Sequence, residues 1–181
     1  PFLKILEKHD IFENEIKTIL SIATEELSKE QPNDQALLYS FMNFVIGKNI
    51  IWLFDYIKEN FTDILKDTKI PKIKTYLNLA THYGQDYIVK ELCEFKELLN
   101  IKDNKSNTAL MTAILQNKVS IGLTLLNYDL DLRANNQKNL NAIQLAIKNK
   151  EFYILVRTML TKNKIEKEET FYLSDEHTDE T

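Results

Sequence analysis

Apolar residues recur along this chain at the spacing of one helix face. In residues 2–30, Phe2, Leu3 and Leu6, then Ile11, Phe12, Ile16, Ile19, Leu20, Ala23 and Leu27, follow a 3.6-residue period. Gln31-Pro32-Asn33-Asp34 ends that pattern, because the residue before a proline is pushed out of the helical region. A helix pair is predicted over 35–66. Leu37, Leu38, Phe41, Phe44 and Val45 form its first apolar face, Gly47-Lys48-Asn49 its turn, and Ile50 to Phe54, Ile57 and Phe61 its second face.

From Pro71 onward the pattern becomes a frame. Thr75, Leu77 and Ala80 are followed 33 residues later by Thr108, Leu110 and Ala113, and again by Asn141, Ile143 and Ala146. Ile88, Ile121 and Ile154 keep the same interval in the segment after each. The leading Thr or Asn suits a helix N-cap, where its side-chain oxygen accepts a backbone N–H. Such a period, with a turn and two short helices, marks a stacked repeat protein.

Over residues 71–161 the chain resembles the ankyrin-repeat family. Asn100, Asp103, Thr108, Leu110, Ala113, Ile121, Leu125 and Leu126 fall where that family places its Asn, Asp, Thr, Leu, Ala, Ile or Val, and Leu-Leu. The fold expected is all-α, an ankyrin-like helical solenoid with an extra N-terminal helical cap. It divides into N-terminal helices (1–33), a degenerate capping helix pair (34–70), three repeats (71–161) and a flexible acidic tail (162–181). Aligning Gly47 with Gly84 puts Ser40 and Asn43 opposite Leu77 and Ala80. The frame is then lost in the helix pair, as expected of a terminal repeat that covers an end face with Phe41, Phe44, Trp52, Phe54 and Tyr56.

Two departures from the family bear on stability. Its turn glycine is replaced by Ile73, Ser106 and Asn139, of which asparagine best tolerates a left-handed backbone and isoleucine resists it. Its histidine three residues after the Thr is Asn78, Met111 and Gln144, so that hydrogen-bond network must be rebuilt or absent.

Charge is segregated behind a net value of −4. Residues 71–164 hold 14 basic and 8 acidic side chains, whereas 165–181 hold one basic and seven acidic. A basic array can steer an acidic partner, and the tail itself could lie across the basic groove. Lone Cys93 excludes an internal disulfide and fits a reducing compartment, cytoplasmic or nuclear. It replaces a family leucine and reads as a buried small hydrophobe. No apolar run is long enough to span a membrane. His9, His82 and His177 lack partners at ligand spacing, so no metal, no cofactor and no enzyme activity are expected. Arginine is scarce and no base-reading motif is visible, which makes nucleic acid an unfavoured ligand.

The resemblance implies a protein–protein interaction module, monomeric, that grips a partner segment of acidic character in the concave groove. Carried over from the family, the partner-binding set is Tyr76, Leu79, His82 and Tyr83, then Met111, Thr112, Leu115 and Gln116, with Lys105, Lys138 and Lys148 at the rim. Leu79 and Leu145 fit packing between repeats equally well; Tyr83 and Leu115 are the favoured anchors. The alternative is a targeting or regulatory domain of a larger enzyme, since the chain does not begin with Met. Its Lys-, Ile- and Asn-heavy composition resembles that of intracellular bacteria that export ankyrin effectors.

Overall fold

The computed structural model describes residues 32–66 and 75–149, together with Arg157 and Thr161. All eight α-helices among them are short: α1 Pro32–Gly47, α2 Ile51–Asn60, α3 Thr62–Lys66, α4 Tyr76–Tyr83, α5 Asp86–Cys93, α6 Ala109–Leu115, α7 Val119–Leu125 and α8 Ala142–Lys148. No strand occurs among the described residues. The expected helices of 1–31, the turn holding Ile73, the second helix of the last repeat and the tail lie outside the described residues.

The helices form two layers. First helices α1, α4, α6 and α8 pack in succession, each on the next. Second helices α5 and α7 pack behind them in the same order. Helices this short are marginal alone, so their stability comes from what each layer buries. Leu77, Ala80, Leu110, Ala113, Ala142 and Ala146 are buried between first helices, and Ile88, Leu92, Ile121 and Leu125 between second helices. Burying one of these leucines or isoleucines stabilises by roughly 1.5–3 kcal/mol.

The frame residues cap the helices as the spacing predicts. Thr75 Oγ1 accepts from the Asn78 N–H at 3.2 Å, Thr108 Oγ1 from Met111 at 3.3 Å, and Asn141 Oδ1 from Gln144 at 2.9 Å. Gln144 answers through its Oε1, which accepts the Asn141 N–H at 3.0 Å and closes a capping box.

The first helices α1, α4 and α6 end the same way, and that ending corrects the register of the helix pair. Gly84, with φ +81°, passes the chain through the left-handed region; the Gln85 N–H donates to the Ala80 carbonyl and the Gly84 N–H to Thr81. Asn117 repeats the pattern with Ala113 and Ile114, and Asn49 repeats it with Val45 and Ile46. Asn49, not Gly47, is therefore the counterpart of Gly84, at an offset of 35. The positions matching Leu77 and Ala80 become Met42 and Val45, both fully buried. Leu53, Phe54 and Ile57 likewise match Ile88, Val89 and Leu92, and all six are buried. The frame survives in the helix pair.

Two other expectations change in detail. Of the aromatic set assigned to an end face, Phe41 and Phe54 are buried but Trp52 stays 41 % exposed. The turn glycines are replaced at a tolerable cost: Ser106 and Asn139 adopt φ of 59° and 55°. Each turn is held by the residue three before, Asp103 or Asn136. Asp103 Oδ1 accepts from the Lys105 and Asn107 N–H groups at 2.9 and 2.8 Å, and Asn136 Oδ1 accepts from Lys138 and Leu140 at 2.9 and 3.1 Å.

Candidate functional site

Neighbouring repeats are joined by polar side chains about one period apart. The histidine network missing from the sequence is rebuilt around Asn78, which is wholly buried. Its Nδ2 donates to Thr75 Oγ1 at 3.3 Å and to the Ile101 carbonyl at 3.2 Å, while its Oδ1 accepts the Thr112 hydroxyl at 3.0 Å. On the second layer Ser120 donates to Asp86 and Tyr128 to Glu94, at 3.0 and 3.1 Å. In the loops, Gln137 reaches the Asn104 carbonyl at 2.8 Å and Lys102 the Asn135 carbonyl at 3.0 Å. Fixed in this way, the repeats present a continuous surface with few rotational freedoms.

The first-helix layer turns two kinds of position to solvent, at the helix ends and in the loops. Tyr83 and Leu115 stand at the last residues of α4 and α6, 41 % and 56 % exposed. The Tyr83 hydroxyl donates to Asn43 Oδ1 at 3.0 Å, so its ring is held rather than swinging free. His82, half-buried, bonds to Gln116 through Nδ1 and meets the Tyr83 ring edge-on at 5.4 Å between centroids. Lys148, at the end of α8, is exposed, as are Lys105 and Lys138 in the loops.

Four residues of the expected set cannot touch a partner. Tyr76, Leu79, Met111 and Thr112 are buried. The physical reason is layer packing: Leu79, Thr112 and Leu145 occupy one repeat-equivalent position on the first-helix layer, all buried. The Thr112 hydroxyl is also consumed by Asn78. Tyr76 stacks on Tyr39, ring centroids 6.2 Å apart and 17° between planes. For Leu79 and Leu145 the structure takes the packing alternative.

No acidic residue occurs within α4, α6 or α8. Acidic side chains sit on the second layer (Asp86, Glu91, Glu94) or in the loops, where Asp103 and Asp131 spend oxygens on backbone N–H groups. Beside these three helices, Lys148 on α8 and the exposed Lys105 and Lys138 of the loops supply positive charge.

Two stacked layers of short helices with a fixed left-handed turn inside each unit match a known architecture. The family model describing three copies of the ankyrin repeat matches residues 41–136. The chain belongs to the ankyrin-repeat family. The matched span begins inside α1, ahead of the stretch that carries the resemblance by eye, in accord with the register found at Asn49. No curated protein matches the chain. Ankyrin repeats are generally protein–protein interaction modules, and ankyrin domains typically bind rather than catalyse.

Nothing in the site suggests chemistry. Cys93 is buried, its thiol pushed up to about 12 by burial and secondarily by the adjacent Glu94, so it is a poor nucleophile. Among the described residues no group of three or more His, Cys, Asp or Glu could hold a metal. No helix among them is long and apolar enough to cross a membrane.

Sequence reasoning missed three exposed apolar residues on the second layer, Ile51, Trp52 and Tyr87. The signal for them was weak: Trp52, Tyr87 and Ser120 occupy equivalent positions once the offset of 35 is known, and that position has no fixed residue type. Asn43, which fixes Tyr83, was also missed.

Proposed function

We propose that this ankyrin array binds an extended segment of a partner protein along the ends of α4, α6 and α8, and that the segment combines an apolar anchor with acidic residues. The observation that carries this reading is the pairing of Tyr83 and Leu115, exposed on adjacent repeats, with three helices, α4, α6 and α8, that hold no acidic residue. Tyrosine and large aliphatic side chains at a rigid surface anchor partners at small entropic cost. Lys105, Lys138 and Lys148 add attraction and speed of encounter more than affinity, since exposed ion pairs contribute about 0–1 kcal/mol each. His82, bonded to Gln116 and edge-on to the Tyr83 ring, positions that ring rather than binding directly.

A random displayed-peptide library selected on the chain tests the reading. Enriched peptides should carry an aromatic or aliphatic residue flanked by Asp or Glu. They should bind a Tyr83→Glu, Leu115→Glu variant at least about tenfold more weakly, the loss of one anchor of 1.4 kcal/mol. Circular dichroism would verify that the variant folds. Peptides of no consistent charge, or peptides that bind both proteins equally, would place the site elsewhere.

A further inference from the structure

The second-helix layer carries its own apolar surface, and its chemistry is opposite to that of the first. Ile51, Trp52 and Tyr87 are 39 %, 41 % and 42 % exposed. The Tyr87 hydroxyl crosses from α5 to α2 and donates to Asp55 Oδ1 at 2.9 Å. Ile51 and Trp52 precede Asp55 by four and three residues, so on a helix all three share one face. Two exposed aromatic rings and an isoleucine thus surround a single half-buried carboxylate. More carboxylates lie close by: the Tyr87 phenol is pushed up to about 12 chiefly by its bond to Asp55, with Glu91 and Glu59 adding to the rise. Lys58 pairs with Glu91, and Lys90 is exposed one turn beyond Tyr87. Against these two lysines stand Asp55, Glu59, Asp86 and Glu91, leaving the patch acidic.

Aromatic faces ringed by carboxylates suit a cation with a flat, weakly hydrated head. Over the face of a Trp or Tyr ring such a cation gains about 0.5–1 kcal/mol at an exposed site, and a neighbouring carboxylate adds to this. Guanidinium fits better than ammonium because it stacks and pairs bidentately at once. A nucleic acid or an anionic membrane surface would meet carboxylates and be repelled. We infer that the α2–α5 face, built from Ile51, Trp52, Asp55, Glu59 and Tyr87, is a second docking surface, for an arginine-bearing basic segment of a partner protein. The array then offers a basic, apolar first face and an acidic, aromatic second face, and can hold two partners of opposite charge.

Trp52 is the only tryptophan in the chain, so its emission reports this face alone. Titrating the protein with a short peptide of alternating arginine and glycine should give a saturable change in that emission, weakening as salt is raised. A peptide with glutamate in place of arginine should give none. An Asp55→Asn, Glu59→Gln variant keeps a hydrogen-bond acceptor for Tyr87 and should bind the arginine peptide about tenfold more weakly. Leu115→Glu, on the other layer, should bind it unchanged. Absence of a saturable change, equal binding by the charge-neutralised variant, or a response to neutral phosphatidylcholine vesicles in place of the peptide would overturn the inference. The Leu115 variant also separates this result from the fate of the first-face reading, which the glutamate peptide and Tyr83 test on their own.

Discussion

The ring of Tyr83 occupies the space that a side chain on Gly47 would need. A Cβ at Gly47 would stand 3.2 Å from Tyr83 Cζ, a separation tighter than nearly all real contacts of that kind. Glycine at the end of α1 thus seats an anchor residue of the next repeat, and the Asn43 bond fixes its hydroxyl.

Gly47→Ala should therefore separate stability from binding. Alanine gains up to about 1 kcal/mol of helix propensity, against a ring displaced by a few tenths of an ångström. The urea midpoint should move by less than about 1 kcal/mol in free energy, while peptides selected on the first-layer face should bind several-fold more weakly. Unchanged affinity would mean that Tyr83 is not seated by Gly47.

Asn78 bridges two repeats from a fully buried position. Asn78→Ala leaves the Ile101 carbonyl and the Thr112 hydroxyl without their partner, at a cost of about 2–3 kcal/mol in urea unfolding. Adding Thr112→Val removes one orphaned group and should restore part of the loss. A double variant no better than the single would deny the coupling.

Thr81 offers a gain. Its hydroxyl is buried with no hydrogen-bond partner, at the position that Ile114 and Ile147 fill in the following repeats. Thr81→Val removes an unsatisfied group at nearly constant volume, and should raise stability by about 1 kcal/mol. Destabilisation in thermal unfolding would show that the hydroxyl is satisfied after all.

The array should lose stability at alkaline pH, in two stages. An unfolded cysteine ionises near pH 8.5, whereas the buried Cys93 thiol holds its proton up to about 12. Above pH 8.5 the unfolded chain thus releases a proton that the folded chain retains, and stability falls as pH rises toward 12. Tyr39, raised to about 12 by burial and then by Tyr83, and Tyr87, raised to about 12 chiefly by Asp55, add to the decline above pH 10. Melting temperature followed from pH 7 to 11 should be flat and then fall. Cys93→Val should delay the fall to about pH 10; an unshifted onset would exclude the thiol as its cause.

The interval between Thr75, Thr108 and Asn141 was legible in the sequence because each cap has one job and few residue types can do it. So was the burial of Cys93, at the position of Leu126. The register of the helix pair was not: glycine in a turn invites alignment to glycine, yet the left-handed residue is Asn49, and asparagine also tolerates that conformation. Nor could spacing alone tell Tyr83 from Tyr76. Both are tyrosines of α4, seven residues apart and on one face, but Tyr76 lies under the stacked Tyr39 ring while Tyr83 stands at the open helix end. The Asn78 bridge was hidden for a different reason: its acceptor and donor come from the next repeat, and no local pattern records them.

The bonds from Asn78 to Thr112, Asp86 to Ser120, Glu94 to Tyr128 and Asn104 to Gln137 all span 33 or 34 residues. Each repeat thus carries the socket for its successor and the plug for its predecessor. A gene that duplicates or drops one whole period leaves an interlocking chain, whereas a codon gained or lost inside a helix turns that helix's joints away from their partners. Such an array can change its reach in whole units while keeping its manner of assembly.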